Sequence, residues 1–305
     1  MNKKYKELSF TTATDFMNFL SPMNGFWSAG KYIFRGQGDS QYTLTPSVCR
    51  RGAGEFAAMS AMRIFGRTAI SQIDFEFQVL RQFLDGCDKS GLVLPGYSGK
   101  LKTELSHPFG RAYDIAKKWP SDDLIEVLAV AQHHGVPTRL LDWSRRSFVA
   151  AYFAATSASY RVSGKKFIAV WGLDVTNQDM WGDVEVVDVP GGTSKNLAAQ
   201  SGVFTMQVIS GDLKGDYIEP PLEETNDLYL RCGDSHPSLI KMTLPIEEVP
   251  ELVKICSSFG VSGSTLFPGY EGVARDVQEW ARECEGVLRV DHNEGAEFAD
   301  DDEFC

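Results

Sequence analysis

Apolar residues recur along this chain at two spacings, one helical and one alternating. The helical spacing predicts a short capped helix over Thr11–Leu20, with Phe16, Phe19 and Leu20 on one face. It returns over Ile70–Leu84, through Phe75, Val79, Leu80, Phe83 and Leu84, and over Asp122–His133, through Leu124, Val127, Leu128 and Val130. Pro137 ends the latter helix. Residues 147–158 are apolar almost all round, from Phe148 to Ala155, which predicts a central helix buried between layers. Lys31–Phe34 reads as a strand running into the turn-rich Arg35–Asp39, and Thr138–Asp142 reads as a short strand. The second half carries strand patterns at Lys166–Leu173, Val184–Val189, Gly202–Ile209 and Leu239–Leu244, then helices at Ile246–Phe259 and Gly272–Glu283. Strands following helices without regular βαβ alternation predict an α+β fold with a mixed or antiparallel β core. We expect one compact domain over residues 1–290, with an N-terminal helical elaboration, and a tail over 291–305.

Composition refines this outline. The 305 residues are 43% hydrophobic and 23% charged, enough to bury a substantial core. No apolar run reaches the roughly 20 residues of a membrane span, and the N-terminus lacks the apolar stretch of a signal peptide, so no membrane contact and a cytoplasmic location are expected. The net charge is −11, but six of the 41 acids fall in the last twelve residues, leaving 35 acids against 30 Lys and Arg. The tail is therefore expected to be solvated and disordered, a solubility segment or a tether for a basic partner. A mildly acidic body argues against non-specific nucleic-acid binding, which depends on neutralising phosphates. Six scattered cysteines without a CxxC pair argue against zinc, and no metal is expected.

No phosphate-binding loop, dinucleotide fingerprint, GxSxG or HExxH is present. Two polar clusters embedded in apolar strands stand out instead. Arg35 ends a strand and is followed by Gly36, so its fork is free either to meet a phosphate or carboxylate or to pair with Asp39 or another acid. The thirteen residues Gln132–Ser144 hold His133, His134, Thr138, Arg139, Asp142, Trp143 and Ser144. Adjacent histidines on a helix point about 100° apart, a poor arrangement for one metal ion. A triad of Ser144, His133 and Asp142 lacks the glycine frame of a nucleophile elbow. A structural reading pairs Arg139 with Asp142 and packs Trp143 into a corner.

Phe34-Arg35-Gly36, followed by Thr45-Pro46-Ser47 and Arg50, resembles the opening of the FRG domain family, which is named for that tripeptide. Gln132-His133-x-Gly135-x-Pro137-Thr138-Arg139-Leu140-Leu141-Asp142-Trp143-Ser144 is similar to its central signature, and Ala150–Ala154 to the helix after it. Gln200-x-Gly202-x-Phe204-Thr205 and Thr265–Gly272 resemble the later blocks. The blocks together span about residues 33–283.

The chain also resembles ADP-ribosyltransferases, in which an aromatic-Arg-Gly strand is followed by a Ser/Thr strand leading into a buried helix and then by a Glu or Gln ahead of a third strand. That resemblance implies NAD as the substrate, and the chemistry suits the residue types. Cleaving the nicotinamide–ribose bond passes through a cation-like sugar, so orientation and electrostatics dominate. The implied catalytic residues are Arg35, His133, Thr138 and Gln200. The implied NAD contacts are Arg35, Gly36, Thr138, Arg139, Trp143, Ser144 and Tyr152, with Trp143 or Tyr152 stacking on a ring. Where many transferases carry glutamate, this chain has Gln200, and a neutral amide is no general base; Asp142 and Glu219 are the nearest acids for that role.

The implied function is an ADP-ribosyltransferase toxin or effector of a bacterial toxin–antitoxin or anti-phage system. It would modify a macromolecular acceptor (RNA, DNA or protein) and be held by an antitoxin protein. Two rivals stand beside it: a nucleotide- or phage-sensing module without chemistry, and an RNA-cleaving toxin using His133, His134 and Arg139. Thr265–Gly272 reads as architecture, with Tyr270 packed under a Phe-Pro-Gly turn. Asp276, Glu279 and Glu283 read as a solvated helix face.

Overall fold

The structure is a computed structural model that describes residues 4–29, 31–50, 68–105, 118–158, 166–193, 195–210, 217–225 and 237–281. Seven strands form one mixed sheet: β1 (Lys6–Ser9), β2 (Tyr32–Gln37), β3 (Leu140–Ser144), β4 (Phe167–Asp174), β5 (Val184–Val187), β6 (Gly202–Gln207) and β7 (Leu239–Pro245). Their order is β1-β7-β4-β2-β3-β6-β5, and only the edge pair β1–β7 is parallel. The described helices are α1 (Ala13–Leu20), α2 (Ala69–Lys89), α3 (Gly99–Leu105), α4 (Ile125–His133), α5 (Ser147–Thr156), α6 (Lys195–Ala199), α7 (Val249–Ser258), α8 (Gly263–Leu266) and α9, residues 270–281. The fold is α+β, as the element order predicts.

Several boundaries differ from the sequence reading. β2 continues through Arg35-Gly36-Gln37, because these residues pair with β4 residues Trp171, Val170 and Ala169. β3 starts at Leu140 rather than Thr138, which spends its main-chain groups on the Ser47 hydroxyl. β5 and β6 stop two residues early, at Val187 and Gln207. The helix expected at Ile246 opens with a 3₁₀ turn, and α7 proper starts at Val249. β1 has no sequence signal: four mostly exposed residues held by pairing with Ile240–Thr243. The expected tail lies outside the described residues.

Register assigns the faces. Phe34 pairs with Ser144, and Asp142 with Phe204, so these side chains share one face of the sheet. Two helical groups cover that face. Over β7, β4 and β2 lies a core of α1, α5 and α7, with Phe16, Leu20, Phe34, Val149, Ala150, Val170 and Met242. Over β3, β6 and β5 lies a core of α2, α3 and α4, with Ile73, Leu80, Val127, Leu128, Leu140, Phe204 and Met206. Ile33, Leu141, Trp143, Trp171, Leu173 and Val203 form a third core on the opposite face.

The all-round apolar character of α5 follows from this position, since it packs on β2 below and on α7 beside. The approach is close. A β-carbon on Gly36 would sit 2.0 Å from the carbonyl oxygen of Ala150, and one on Gly38 would sit 2.2 Å from that of Ser157. Backbone therefore packs directly on backbone, and only glycine fits. Gly36→Ala is expected to cost about 1–3 kcal/mol, the usual range for overpacking. That cost reads as a fall in Tm of several degrees, and an unchanged Tm would contradict the packing described.

Candidate functional site

β2 and β3 are neighbours in the sheet, yet they share a single registered pair, Phe34 with Ser144. β2 makes six pairs with β4 on its other side, and β3 makes five with β6. Beyond Phe34 and Ser144 the two central strands splay apart. The split lies under the boundary between the two helical groups, and a cleft of about 470 Å³ opens there. Its walls come from β2, β3, the C-terminal end of α4, Ala150 and Phe153 of α5, and residues Ser157, Asn196, Gln200, Phe267, Glu271 and Arg275.

Arg35 spans the split. Its Nη1 donates to the main-chain oxygen of Asp142 at 2.7 Å, replacing a ladder bond that the splayed strands cannot make. The Asp142 carboxylate lies 3.5 Å from the same nitrogen. Among the described residues, Arg35 Nε is buried without a hydrogen-bond partner. Burial pulls the guanidinium below the ordinary arginine value; Asp142 offsets this, and nearby Arg50 adds to it. Of the acids offered for a structural pairing, Asp142 rather than Asp39 is the partner.

The other side of the cleft is a relay. The Thr138 hydroxyl donates to Gln132 Oε1 at 2.5 Å, and Gln132 Nε2 donates to the Asp142 carboxylate at 2.9 Å and to the Leu140 carbonyl at 3.2 Å. Thr138 is buried, so it positions Gln132 rather than facing the cleft. His133 lies near Asn196, with Nε2 and the amide nitrogen 3.2 Å apart. Burial and then the neighbouring His134 pull the His133 ring below its ordinary value, against Glu271 and Asp142.

Gln200 sits in the turn between α6 and β6. Its main-chain oxygen accepts from the Ser144 hydroxyl at 2.7 Å, and its side-chain amide donates to the Leu266 carbonyl at 3.2 Å. Gln200 and Ser144 thus brace the end of β3 against α8. The carboxylates that line the cleft are Asp142 and Glu271. Glu271 accepts from Arg275 at 2.7 Å, and the Arg275 guanidinium stacks 3.9 Å over the Phe267 ring.

Of the residues singled out from sequence, the cleft brings together Arg35, Gly36, Gln132, His133, His134, Asp142, Trp143, Ser144 and Gln200. It does not include Thr138, Arg139 or Tyr152. Trp143 borders the cleft, but its buried indole packs in the core of the opposite face and donates to Thr205, so the ring is not available for stacking. Tyr152 is equally buried, and its hydroxyl donates to Glu279, with burial and that bond pushing the phenol up.

Arg139 is fully buried and does not pair with Asp142. It binds Glu76 at 2.5 and 2.9 Å and Glu219 at 2.6 Å, and it donates to the Gln207 carbonyl at 2.9 Å. Burial opposes its charge, yet Glu76 and Glu219 hold it well above the ordinary arginine value. Glu219, a candidate acid on sequence, is spent in this network, and burial pushes its carboxyl up.

In the sequence pattern Glu271 falls in the Thr265–Gly272 block that reads as architecture, and nothing marks Arg275. Their (i, i+4) spacing on a helix is the signal that the pair shares a face, but nothing local says which cavity that face meets. Tyr270, expected to be packed, is 96% exposed. Asp276 and Glu279, expected to be solvated, are half-buried and accept from the Ser264 amide and Tyr152. Glu283 lies outside the described residues.

Residues 30–161 match the model of the FRG domain. The match includes β2, β3 and α5, while the blocks at Gln200 and Thr265–Gly272 lie beyond it. No curated protein and no solved structure matches the chain.

The lowered His133 value has a testable sign. A histidine whose folded pKa lies below its unfolded value of about 6.5 binds fewer protons when folded, so its contribution to stability is present above that pH and is lost as pH falls. NMR titration is expected to place the His133 midpoint below 6.5, and His134→Ala is expected to raise it. A midpoint above 6.5 would contradict the environment described.

Proposed function

With an FRG domain over residues 30–161, the protein is, we propose, an NAD-dependent ADP-ribosyltransferase of the toxin or effector kind, acting in a bacterial toxin–antitoxin or anti-phage system. The observation that carries this reading is the split between β2 and β3. It opens a cleft sized for a small-molecule ligand, lined by an arginine whose buried Nε has no partner among the described residues. A guanidinium in a partly dry groove suits a pyrophosphate or ribose.

The reaction needs few groups. The bond from ribose C1′ to the nicotinamide nitrogen breaks, and the electron pair leaves with neutral nicotinamide. The cation-like sugar is then attacked at C1′ by an acceptor oxygen or nitrogen, whose proton must go to a base. Arg35 holds the pyrophosphate or ribose. Asp142, aimed by Gln132 and Thr138, is the carboxylate beside it that stabilises positive charge and accepts the proton. His133, whose ring is pulled below its ordinary value by burial and by His134, is placed for a ribose hydroxyl. Gln200 and Ser144 act by fixing the end of β3. Asp142 thus supplies the general base that Gln200 cannot be.

A second reading, a nucleotide-sensing module without chemistry, is favoured by one observation: the Gln200 amide is engaged with the Leu266 carbonyl. The RNA-cleaving alternative is weakened, because Arg139 is withdrawn from the histidines into its own buried network.

Labelled NAD incubated with the protein and RNA, DNA or lysate protein separates these readings. Label is expected to move to one acceptor class. Arg35→Ala is expected to lower transfer at least 100-fold, and Asp142→Asn by about 10²–10⁴-fold, the usual range for loss of a general base. Saturable NAD binding with neither transfer nor nicotinamide release would favour the sensing module and contradict the transferase reading.

A further inference from the structure

α9 reverses the usual polarity of a surface helix. Its charged and small residues face the domain. Asp276 accepts from the Ser264 amide at 3.0 Å, Glu279 accepts from the Tyr152 hydroxyl, and the Arg275 guanidinium stacks on Phe267. A β-carbon on Gly272 would sit 2.1 Å from the Phe267 carbonyl oxygen, so the backbone itself is seated on the preceding turn. The apolar residues point outward instead. Tyr270, Val273, Val277 and Trp280 are 96%, 55%, 57% and 64% exposed, and Ala274 and Ala281 beside them are exposed as well.

Spacing, symmetry and area together say what covers this stripe. Steps of three, four and three residues keep the four large side chains in line, the spacing of a two-helix seam. Their order is symmetric about Arg275, with aromatic rings at the ends and valines between. An antiparallel second copy of α9 therefore sets Tyr270 against the partner's Trp280 and Val273 against the partner's Val277, and the same contacts recur with the copies exchanged. That is the self-complementarity of a two-fold interface. On one edge of the seam Ala274 meets the partner's Ala281, which lets the helices approach. On the other edge Asp276 is turned to the Ser264 amide. The four large side chains offer about 500 Å² per copy and about 1,000 Å² in a pair, the area at which a specific interface begins.

We propose that the protein is a homodimer in which two copies of α9 pack antiparallel along this stripe. The proposal goes beyond the transferase reading and does not depend on it. Because Glu271 and Arg275 of the same helix line the cleft, the pairing braces one wall of the cleft in each copy.

Sedimentation equilibrium of the full chain tests this by mass alone. The wild type is expected to show twice the mass of one chain at micromolar concentration. Val273→Glu and Val277→Lys each put an unpaired charge into the apolar seam, and each is expected to weaken pairing about 100-fold and run as single chains. Both positions are exposed, so both variants are expected to fold, with an unchanged circular dichroism spectrum as the check. Mixed in equal amounts, the two variants are expected to pair again, because antiparallel packing sets the introduced glutamate of one chain against the introduced lysine of the other. Two results would overturn the proposal. The wild type and both variants share one mass, whether of one chain or of more; or the variants lose pairing and their mixture does not regain it, which would exclude the antiparallel register.

Discussion

Two neighbouring strands that share one residue pair leave main-chain groups without ladder partners, and unpaired buried groups are costly. β2 and β3 stand in that relation, and the site follows from how the chain answers it. Arg35 reaches across and satisfies the Asp142 carbonyl that a paired strand would have bound. The same splay separates the helical cover of β2 from that of β3, and the cleft lies along the seam. On the β2 side the seam is fixed by the contact of Gly36 with α5, which admits no side chain. Strand separation, arginine and glycine are thus parts of one constraint, and they fall together in Phe34-Arg35-Gly36.

Arg139 is buried and Arg35 nearly so, and their surroundings separate structure from chemistry. Arg139 has two carboxylates and a carbonyl around it. Breaking such a buried pair commonly costs about 3–5 kcal/mol, and a guanidinium so engaged has little left to offer a ligand. Arg35 has one carbonyl, one carboxylate at 3.5 Å and a buried Nε with no partner. An arginine left incompletely satisfied at the edge of a cavity suits the proposed role of binding an anion.

Much of this was legible in the chain. The all-apolar run of 147–158 predicts α5 and its burial between layers, and strand patterns predict β4 and β7 nearly to their ends. Arg35, His133 and Ser144 stand out as polar residues in or beside apolar segments, Gln200 comes only through the family resemblance, and the cleft holds all four. The misreadings share a cause: pairing partners and faces are decided by tertiary contacts. β1 is visible only through β7, four residues that carry no apolar pattern of their own. Arg139 and Asp142 stand three residues apart, but they are separated by the start of β3, and the acids that reach Arg139 come from α2 and from Glu219. Trp143 alternates to the far face because Asp142 and Ser144 take the near one. Glu271 and Arg275 enter the cleft from a helix about 130 residues beyond β3, a distance no local pattern spans.

The central claim is that Arg35 spans the split in order to receive an anionic ligand rather than only to hold two strands. The most direct measurement follows the side-chain Nε resonances of arginine-labelled protein while NAD is added. The account predicts a saturable shift of the Arg35 resonance, with that of Arg139 unmoved as an internal control. An Arg35 resonance that stays in place while NAD reaches millimolar concentration would contradict it, and would leave Arg35 as a structural bridge.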